Sequence, residues 1–341
     1  MELRVLGHTG VKVSPLCLGA MMFGAWGNPD HEESVRIIRR ALDAGINFID
    51  TADVYSQGES EEIVGKALAG IARDSVVVAT KVHGQMGDGP NRSGNSRRWI
   101  VEEVEHSLRR LGTDYIDLYQ VHRPDPSVPV EETLSALTDL VRAGKIRYFG
   151  HSTFPAHQIV EAQWAAERRG TERFATEQPP YSMLVRGIEA DVLPVCEQYD
   201  IGVIPWSPLA GGWLSGRFGT GKDNSSRRSE RLPGRYDLSR PANQRKLDAV
   251  DRLAALADEA GLSLIDLALA FVLRHPAVSS AIVGPRTMEH LEGQLGAPDV
   301  QLADDLLDRI DEIVPPGANF STDDAGWVPP SIADAAQRRR R

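Results

Sequence analysis

The feature that most restricts the fold of this chain is a regular alternation of short apolar runs with helical patterns, repeating every ~30 to 40 residues. Eight runs have the length of a buried parallel strand, at 16–22, 48–52, 76–82, 116–122, 148–153, 175–179, 202–206 and 279–284. Helical patterns lie between them, near 31–44, 60–69, 97–111, 130–143, 155–169, 189–199 and 242–274. This count of strands predicts an α/β fold of the closed (β/α)8 type, a TIM barrel.

A doubly wound sheet is the main alternative architecture. Such a sheet usually has fewer strands and carries a G-x-G-x-x-G fingerprint after the first one. Here the first run ends Gly-Ala-Met-Met-Phe-Gly at 19–24, which does not match. The barrel is therefore preferred, preceded by a small hairpin over 3–13 with Gly7 and Gly10 near its turn.

Composition narrows the class of protein. The 341 residues carry a net charge of −10, which argues against nucleic acid or an anionic membrane surface as the main partner. Cys17 and Cys196 lie in apolar sequence and suggest no disulfide framework, and no run approaches the ~18 apolar residues of a membrane span. We expect a cytoplasmic protein with one domain over 1–315 and a partly disordered extension over 316–341. The basic end, Arg338 to Arg341, is interpreted as a solvated tail.

The segment from Gly211 to about Arg240 breaks the repeat, since it is far longer than a usual connection between strand and helix. Its stretch Gly216 to Lys222 resembles a phosphate-binding P-loop, but Asp223 stands where a magnesium-binding Ser or Thr is required. We interpret this long loop after the seventh strand as a mobile lid over the barrel mouth.

Polar side chains stand at the ends of three consecutive apolar runs. Asp50 ends the second run, Lys81 the third and His122 the fourth, and Tyr55 follows Asp50 by one short loop. In a barrel these strand ends meet at one mouth, where catalysis takes place. The four residue types suit carbonyl reduction: Tyr55 donates a proton, Lys81 and Asp50 tune it, and His122 positions the carbonyl oxygen.

The tyrosine would need a lowered pKa to be an effective acid. A free phenol has a pKa of about 10, and an ammonium at about 4 Å contributes about 4 kcal/mol at an effective dielectric of about 20. That energy corresponds to roughly three pKa units before desolvation is subtracted. The sequence therefore predicts that Lys81 brings the pKa of Tyr55 towards about 7.

A metal-dependent hydrolase on the same barrel is a competing hypothesis. His83, His122 and His151 are available as ligands. However, the first strand has no His-x-His pair, and Lys81 places a cation where the metal would bind. The sequence therefore predicts no metal site.

The chain resembles the aldo-keto reductases from Leu3 to about Ala297, in the branch that contains potassium-channel β subunits and many bacterial NADPH-dependent reductases. The stretch 47–55, Asn-Phe-Ile-Asp-Thr-Ala-Asp-Val-Tyr, is similar to the second-strand signature of this family, and Lys81 and His122 match the rest of its tetrad. The resemblance implies a (β/α)8 barrel closed below by the N-terminal hairpin. It also implies an enzyme that holds NAD(P)H in extended form without a Rossmann domain.

The same resemblance implies the positions that hold the cofactor. Ser152 and Gln178 match residues that bind the nicotinamide carboxamide, and Trp206 matches the aromatic that stacks on the ring. Arg286 offers a planar fork to the adenosine 2′-phosphate, which favours NADPH over NADH. The full expected set is Met21, Asp50, Ser152, Gln178, Trp206, Ser207, Leu209, Gly211, Gly284, Arg286, His290 and Gln294.

Some positions depart from the family pattern. Thr153 replaces a common Asn, Gly293-Gln294 replaces an acidic-amide pair, and His290 stands where Gln or Arg is frequent. None of these touches the tetrad. The expected substrate pocket is formed by Met22, Trp26, His83, Tyr181, Trp213 and, as the weakest assignment, Trp327.

The combined hypothesis is an NADPH-dependent reductase of aldehydes and ketones, acting on a small-molecule carbonyl substrate. A cofactor-binding regulatory subunit with little turnover remains the alternative from a different functional class. The sequence does not specify the physiological carbonyl or the oligomeric state.

Overall fold

The computed structural model describes residues 1–222, 229–230 and 232–338. Asp223, used above against a P-loop, and the last three arginines of the predicted basic tail lie outside the described residues.

The described chain forms a small hairpin and one large parallel sheet. In the hairpin, β1 (Arg4–Val5) pairs antiparallel with β2 (Lys12–Val13). The parallel sheet contains β3 (Leu16–Gly19), β4 (Phe48–Asp50), β5 (Val77–Val82), β6 (Ile116–Val121), β7 (Ile146–His151), β8 (Thr176–Glu177), β9 (Gly202–Val203) and β10 (Ala281–Val283). Seven of the eight predicted apolar runs contain one of these strands, and the run at 148–153 overlaps β7, which begins two residues earlier.

Backbone hydrogen bonds close this sheet into a barrel. Neighbouring strands pair in chain order from β3 to β9, and β10 pairs with β3. On the remaining side, the Ser279 amide donates to the Val203 carbonyl at 2.9 Å and the Ile282 amide donates to the Pro205 carbonyl at 2.9 Å. The predicted (β/α)8 barrel is therefore confirmed.

Helices surround the barrel, and no described helix is both long and apolar enough to cross a membrane. The helices are α1 (His31–Asp43), α2 (Glu59–Leu68), α3 (Arg97–Leu111), α4 (Val130–Arg142), α5 (Ala156–Arg169), α6 (Val192–Gln198), α7 (Pro241–Glu259), α8 (Leu264–Arg274), α9 (Met288–Glu292), α10 (Asp304–Ile313) and α11 (Pro330–Ala333). Gly112 and Gly170 end α3 and α5 as left-handed C-caps, with φ of 64° and 63°.

The single helix predicted over 242–274 is wrong, because the structure contains two helices there. Gly261 adopts a left-handed φ of 68° after α7 ends. Ser263 then caps α8, its hydroxyl accepting from the Asp266 amide at 3.0 Å. The apolar periodicity continues across the break, so the pattern alone did not reveal it.

The hairpin closes the end of the barrel where the strands begin. Leu6 and Val13 are buried and pack with Cys17, Phe48 and Leu118 in the barrel interior. Gly7 has a φ of 52°, and a Cβ there would lie 2.6 Å from both the Ala175 carbonyl oxygen and the Gly202 amide nitrogen. Because this end is filled by packed side chains, the chemistry belongs at the other end.

The chain after β9 has an apolar core of its own. Trp213 stacks on Phe218 with ring centroids 4.8 Å apart and on Tyr236 with centroids 5.7 Å apart. The Tyr236 hydroxyl donates to the Gly211 carbonyl at 2.8 Å. In its described part, the predicted lid is therefore held together by aromatic packing, and these three rings belong to the same core cluster as the barrel side chains.

Two glycines of the hairpin turn, Gly7 and Gly10, provide a test of how closely the hairpin packs against the barrel. Both have positive φ, but a Cβ at Gly10 meets nothing within 4 Å, whereas one at Gly7 meets backbone. Gly10→Ala should cost about 1–2 kcal/mol for its left-handed conformation. Gly7→Ala should lower the free energy of unfolding by about 1–3 kcal/mol more than Gly10→Ala does. The added methyl group would clash with the backbone of Ala175 and Gly202, which cannot move without disturbing the barrel. Urea unfolding measures both, and equal losses would contradict the proposed close approach.

Candidate active site

A buried ion pair forms the centre of the site at the strand ends. The Lys81 ammonium lies 2.6 Å from Asp50 Oδ2 and donates to the Thr51 carbonyl at 2.7 Å. It also lies 3.2 Å from the Tyr55 hydroxyl. Both charged side chains are buried, and Tyr55 is only 9% exposed. The topology thus brings three of the predicted residues into direct contact.

The second carboxylate oxygen of Asp50 is also fully occupied. Asp50 Oδ1 accepts from the side-chain amide of Gln178 at 2.8 Å and from that of Gln120 at 3.2 Å. The sequence analysis missed Gln120. Its signal was an uncharged polar residue in the middle of the apolar run that forms β6, where a buried amide requires a partner.

The prediction that Lys81 lowers the pKa of Tyr55 towards 7 is wrong. Burial raises the pKa of the Tyr55 phenol above its ordinary value of 10, and the attraction of Lys81 only partly offsets this. The nearby Asp50 carboxylate acts in the same direction as burial. Tyr55 is therefore protonated at neutral pH, as a proton donor must be, and Lys81 can stabilise the phenolate that donation leaves behind.

Lys81 keeps its charge in this buried position. Burial alone would lower the pKa of the ammonium, but Asp50 and Tyr55 outweigh it, and the pKa lies above its ordinary value. Asp50 is the main source of this stabilisation. The ion pair therefore supplies a permanent positive charge beside the phenol oxygen.

His122 follows β6 and completes the cluster. Its ring meets the Tyr55 ring edge-on, with centroids 5.7 Å apart. Burial lowers the pKa of His122 well below 6.5, and Arg123, Lys81 and His83 lower it further by repulsion. A neutral imidazole at this place has one N–H group that can donate to a carbonyl oxygen.

A strained turn holds Tyr55 in the mouth. Ser56 and Gln57 follow it with φ of 49° and 57°, a left-handed conformation that costs energy in residues other than glycine. The Ser56 hydroxyl accepts from the Trp26 amide at 3.1 Å, and the Trp26 ring lies 6.0 Å from the Tyr55 ring. The turn thus couples Tyr55 to the loop that follows β3.

The other residues expected in the substrate pocket fall into two places. Met22 belongs to the loop of Trp26, and His83 follows β5 with Nδ1 2.9 Å from Asn95 Oδ1. Tyr181 and Trp213 instead line a small cavity beside Trp206, on the lid side of the mouth. The Tyr181 hydroxyl donates to Glu189 at 2.7 Å.

The C-terminal segment reaches the same cavity. Gly326 packs against Trp206, since a Cβ there would lie 2.7 Å from the indole ring. Trp327, the weakest pocket assignment, follows directly. Asp324 lines the cavity and lies 2.6 Å from the Lys246 ammonium.

The expected cofactor residues all lie at the carboxyl ends of strands or just beyond them. Asp50 is the last residue of β4, and the others follow β3 (Met21), β7 (Ser152), β8 (Gln178), β9 (Trp206, Ser207, Leu209 and Gly211) and β10 (Gly284, Arg286, His290 and Gln294, the last two in and after α9). The Ser152 hydroxyl donates to the Gln178 carbonyl at 2.8 Å, so these two expected carboxamide ligands are neighbours.

Two structural observations are compatible with a dinucleotide. Ser207, Ala210 and Gly211 all have positive φ, from 50° to 72°, in the turn after β9, and such turns direct backbone N–H groups towards anions. In the described chain, the buried Gln294 Oε1 has no hydrogen-bond partner. An amide oxygen without a partner suits an adenine amino group.

The residues after β10 form a cationic corner. The Asn28 side chain donates to the Arg286 carbonyl at 3.1 Å, and Arg217 of the lid lies 3.0 Å from His290 Nε2. The helix α9 has only five residues and is already capped by Thr287. Attraction for a phosphate therefore depends on the arginine side chains more than on the helix dipole.

The three histidines considered as metal ligands do not converge. His151 points away from the barrel axis, where it pairs with Glu177 and stacks on Phe154 with centroids 4.7 Å apart. Within the described residues, no group of three or more His, Cys, Asp or Glu could hold a metal ion.

These features define a class: a closed parallel barrel with a Tyr-Lys-Asp-His cluster at its mouth. The model of the aldo/keto reductase family matches residues 15–315. The chain belongs to the aldo/keto reductase family, whose members are NAD(P)H-dependent oxidoreductases.

Individual relatives cover almost the whole chain. An uncharacterized oxidoreductase, YrpG, of Bacillus subtilis is 39% identical over 96% of this chain and all of its own length. A putative voltage-gated potassium channel subunit beta of Schizosaccharomyces pombe is 38% identical over 91% of this chain and 92% of its own. Versiconal hemiacetal acetate reductase of Aspergillus parasiticus is 36% identical, covering 93% and 98%.

The lowered pKa of His122 makes stability depend on pH. Below about pH 6.5 the unfolded chain protonates this imidazole while the folded chain does not, so stability falls as the pH decreases. Between about pH 7 and about pH 5 we expect the Tm of wild type to fall more steeply than that of His122→Asn, measured by calorimetry. The exposed His157, replaced by Asn, is the control. Parallel curves for wild type and His122→Asn would refute the assignment.

Proposed function

We propose that this protein reduces aldehydes or ketones to alcohols with NADPH, and that Tyr55 is the general acid. The observation that carries this proposal is the 3.2 Å contact between the Tyr55 hydroxyl and the Lys81 ammonium. The same ammonium lies 2.6 Å from Asp50 Oδ2. Membership of the aldo/keto reductase family supports the reaction class.

Each side chain of the tetrad has a separate role in the proposed reduction of the carbonyl group. His122 donates a hydrogen bond to the carbonyl oxygen, orienting it and stabilising the charge that develops there. Tyr55 then gives its proton to the same oxygen. The Lys81 ammonium stabilises the remaining phenolate, and Asp50 keeps Lys81 charged. The bound cofactor supplies the hydride.

The remaining residues would hold the cofactor against this cluster. Ser152 and Gln178 offer donor and acceptor groups that suit a carboxamide. Trp206 offers an aromatic face, and the left-handed turn from Ser207 to Gly211 offers N–H groups to the pyrophosphate. Arg286 offers a charged fork to the 2′-phosphate.

Arg286 provides a test of cofactor preference. Arg286→Met removes the charged hydrogen bonds to the 2′-phosphate, each worth about 1.5–3 kcal/mol. We expect the KM for NADPH to rise about 10- to 100-fold while the KM for NADH stays within about twofold. Steady-state kinetics with both cofactors measure this, and an equal loss for both would defeat the assignment.

Tyr55 provides a test of the mechanism. Tyr55→Phe keeps the ring and removes the proton donor, so kcat for carbonyl reduction should fall about 10²- to 10⁴-fold. Binding of NADPH, followed by quenching of tryptophan fluorescence, should be retained. Normal turnover by this variant would show that Tyr55 is not the acid.

The same experiment addresses the regulatory alternative, which is suggested by relatives named as channel β subunits. A regulatory subunit would bind NADPH and show little turnover in the wild type as well. A large difference in kcat between wild type and Tyr55→Phe favours the enzyme.

A further inference from the structure

Arg123 lies beside the tetrad, and its guanidinium forms no ion pair in the described part of the chain. It follows His122 directly, and its Nη1 donates to the His122 carbonyl at 2.5 Å and to the Ser152 hydroxyl at 3.3 Å. Over the described residues, its Nε and Nη2 groups have no hydrogen-bond acceptor and no carboxylate pairs with it. A half-buried guanidinium without an anion is unusual, because burial penalises an unpaired charge.

The carboxylates around Arg123 are bonded to other groups. The charge of Glu177 favours the charged form of Arg123, but Glu177 pairs with His151 instead. Asp50 is neutralised by Lys81, and Asp125 accepts from the Asn95 amide at 3.0 Å and from Ser127. Asp324 is bound to Lys246 at 2.6 Å.

The lid adds a second positive charge to this side of the mouth. Arg235 is near enough to repel Arg123, and its nearest carboxylate, Asp324, is 4.0 Å away. The chain as a whole carries −10, yet two arginines, Arg123 and Arg235, are close enough to repel each other on this side of the mouth. Such a local field favours an anionic ligand.

The position of Arg123 indicates whether the anion is a group of the substrate or a phosphate of the cofactor. His122 and Tyr55, which flank the expected carbonyl oxygen, are its neighbours, and its charge acts on the Tyr55 phenol. The residues expected to hold the cofactor phosphates follow β9 and β10, on other strands of the ring. An anion at Arg123 would therefore be part of the substrate.

We propose that Arg123 binds a carboxylate of the substrate, so that the site acts on aldehydes or ketones that also carry an acid group. The free Nε and Nη2 edge of the guanidinium presents two parallel N–H groups, which match the two oxygens of a carboxylate. This inference rests on the proposed carbonyl reduction and names its substrate class.

A matched pair of substrates tests the proposal on the intact protein. Para-formylbenzoate and its methyl ester present the same aldehyde on the same ring and differ mainly in charge. With NADPH in excess, we expect kcat/KM of wild type to be at least about tenfold higher for the acid. This preference should diminish as the salt concentration rises.

Variants of Arg123 separate recognition from structural support. Arg123→Met should reduce the acid-to-ester ratio of kcat/KM to about one, and Arg123→Lys should keep part of the preference. Arg168→Met, which removes an exposed arginine of α5 that pairs with Glu131 of α4, should leave the ratio as in wild type. Circular dichroism and thermal melts establish folding, and Arg123→Gln replaces the Met variant if that one is unstable.

Other outcomes would overturn the proposal. Equal use of acid and ester by wild type contradicts it, as does a loss on both substrates in proportion when Arg123 is replaced, which indicates support of the His122 backbone. A raised KM for NADPH alone assigns Arg123 to the cofactor. A preference for glyceraldehyde phosphate over glyceraldehyde, without one for the acid, assigns the residue to phosphate. Failure to reduce any carbonyl, the ester included, would refute the proposed function itself.

Discussion

The buried pair of Asp50 and Lys81 is the interaction on which the rest of the site depends. Replacing a buried ion pair by apolar groups is often neutral or stabilising, so folding alone does not account for it. This pair is fully hydrogen-bonded: Lys81 also contacts Thr51 and Tyr55, and Asp50 also contacts Gln120 and Gln178. Residues at the ends of four strands of the ring, β4, β5, β6 and β8, thereby converge on a single carboxylate. Under the proposed mechanism, the positive charge that stabilises the Tyr55 phenolate is therefore in place before substrate binds.

Much of this arrangement could be predicted from the sequence. In a parallel barrel all strands end on the same side, so the order of apolar runs along the chain determines which residues lie together there. Once eight apolar runs are recognised, Asp50, Lys81 and His122 must share one mouth, and they do. The errors concern energies and local breaks. The pKa of Tyr55 depends on how far burial outweighs Lys81, which no spacing encodes. The break at Gly261 falls inside a continuous apolar pattern, so one helix was predicted where there are two.

The recognition side of the site could not be predicted in the same way. Whether Arg123 has a partner depends on how Asp125, Glu177 and Asp324 are bound, and each of these carboxylates is bonded to another group. The approach of Gly326 to Trp206 joins residues more than a hundred positions apart. Contacts of this kind follow from how the lid and the C-terminal segment pack on the finished barrel, and a single sequence does not specify that packing.

The two halves of the site therefore differ in how firmly they are held. The tetrad stands on strands and is bound by buried hydrogen bonds, which keep its geometry fixed. The cavity beside Trp206 is lined by the lid and the C-terminal segment, and ion pairs of different strength hold the C-terminal segment to α7 and to the lid. Lys246 and Asp324 are largely buried, whereas Arg240 and Asp323 are both more than 40% exposed, and an exposed pair contributes at most about 1 kcal/mol. Opening at the exposed end would break a weak ion pair and leave the tetrad undisturbed, as entry of the proposed cofactor beside these strand ends would require.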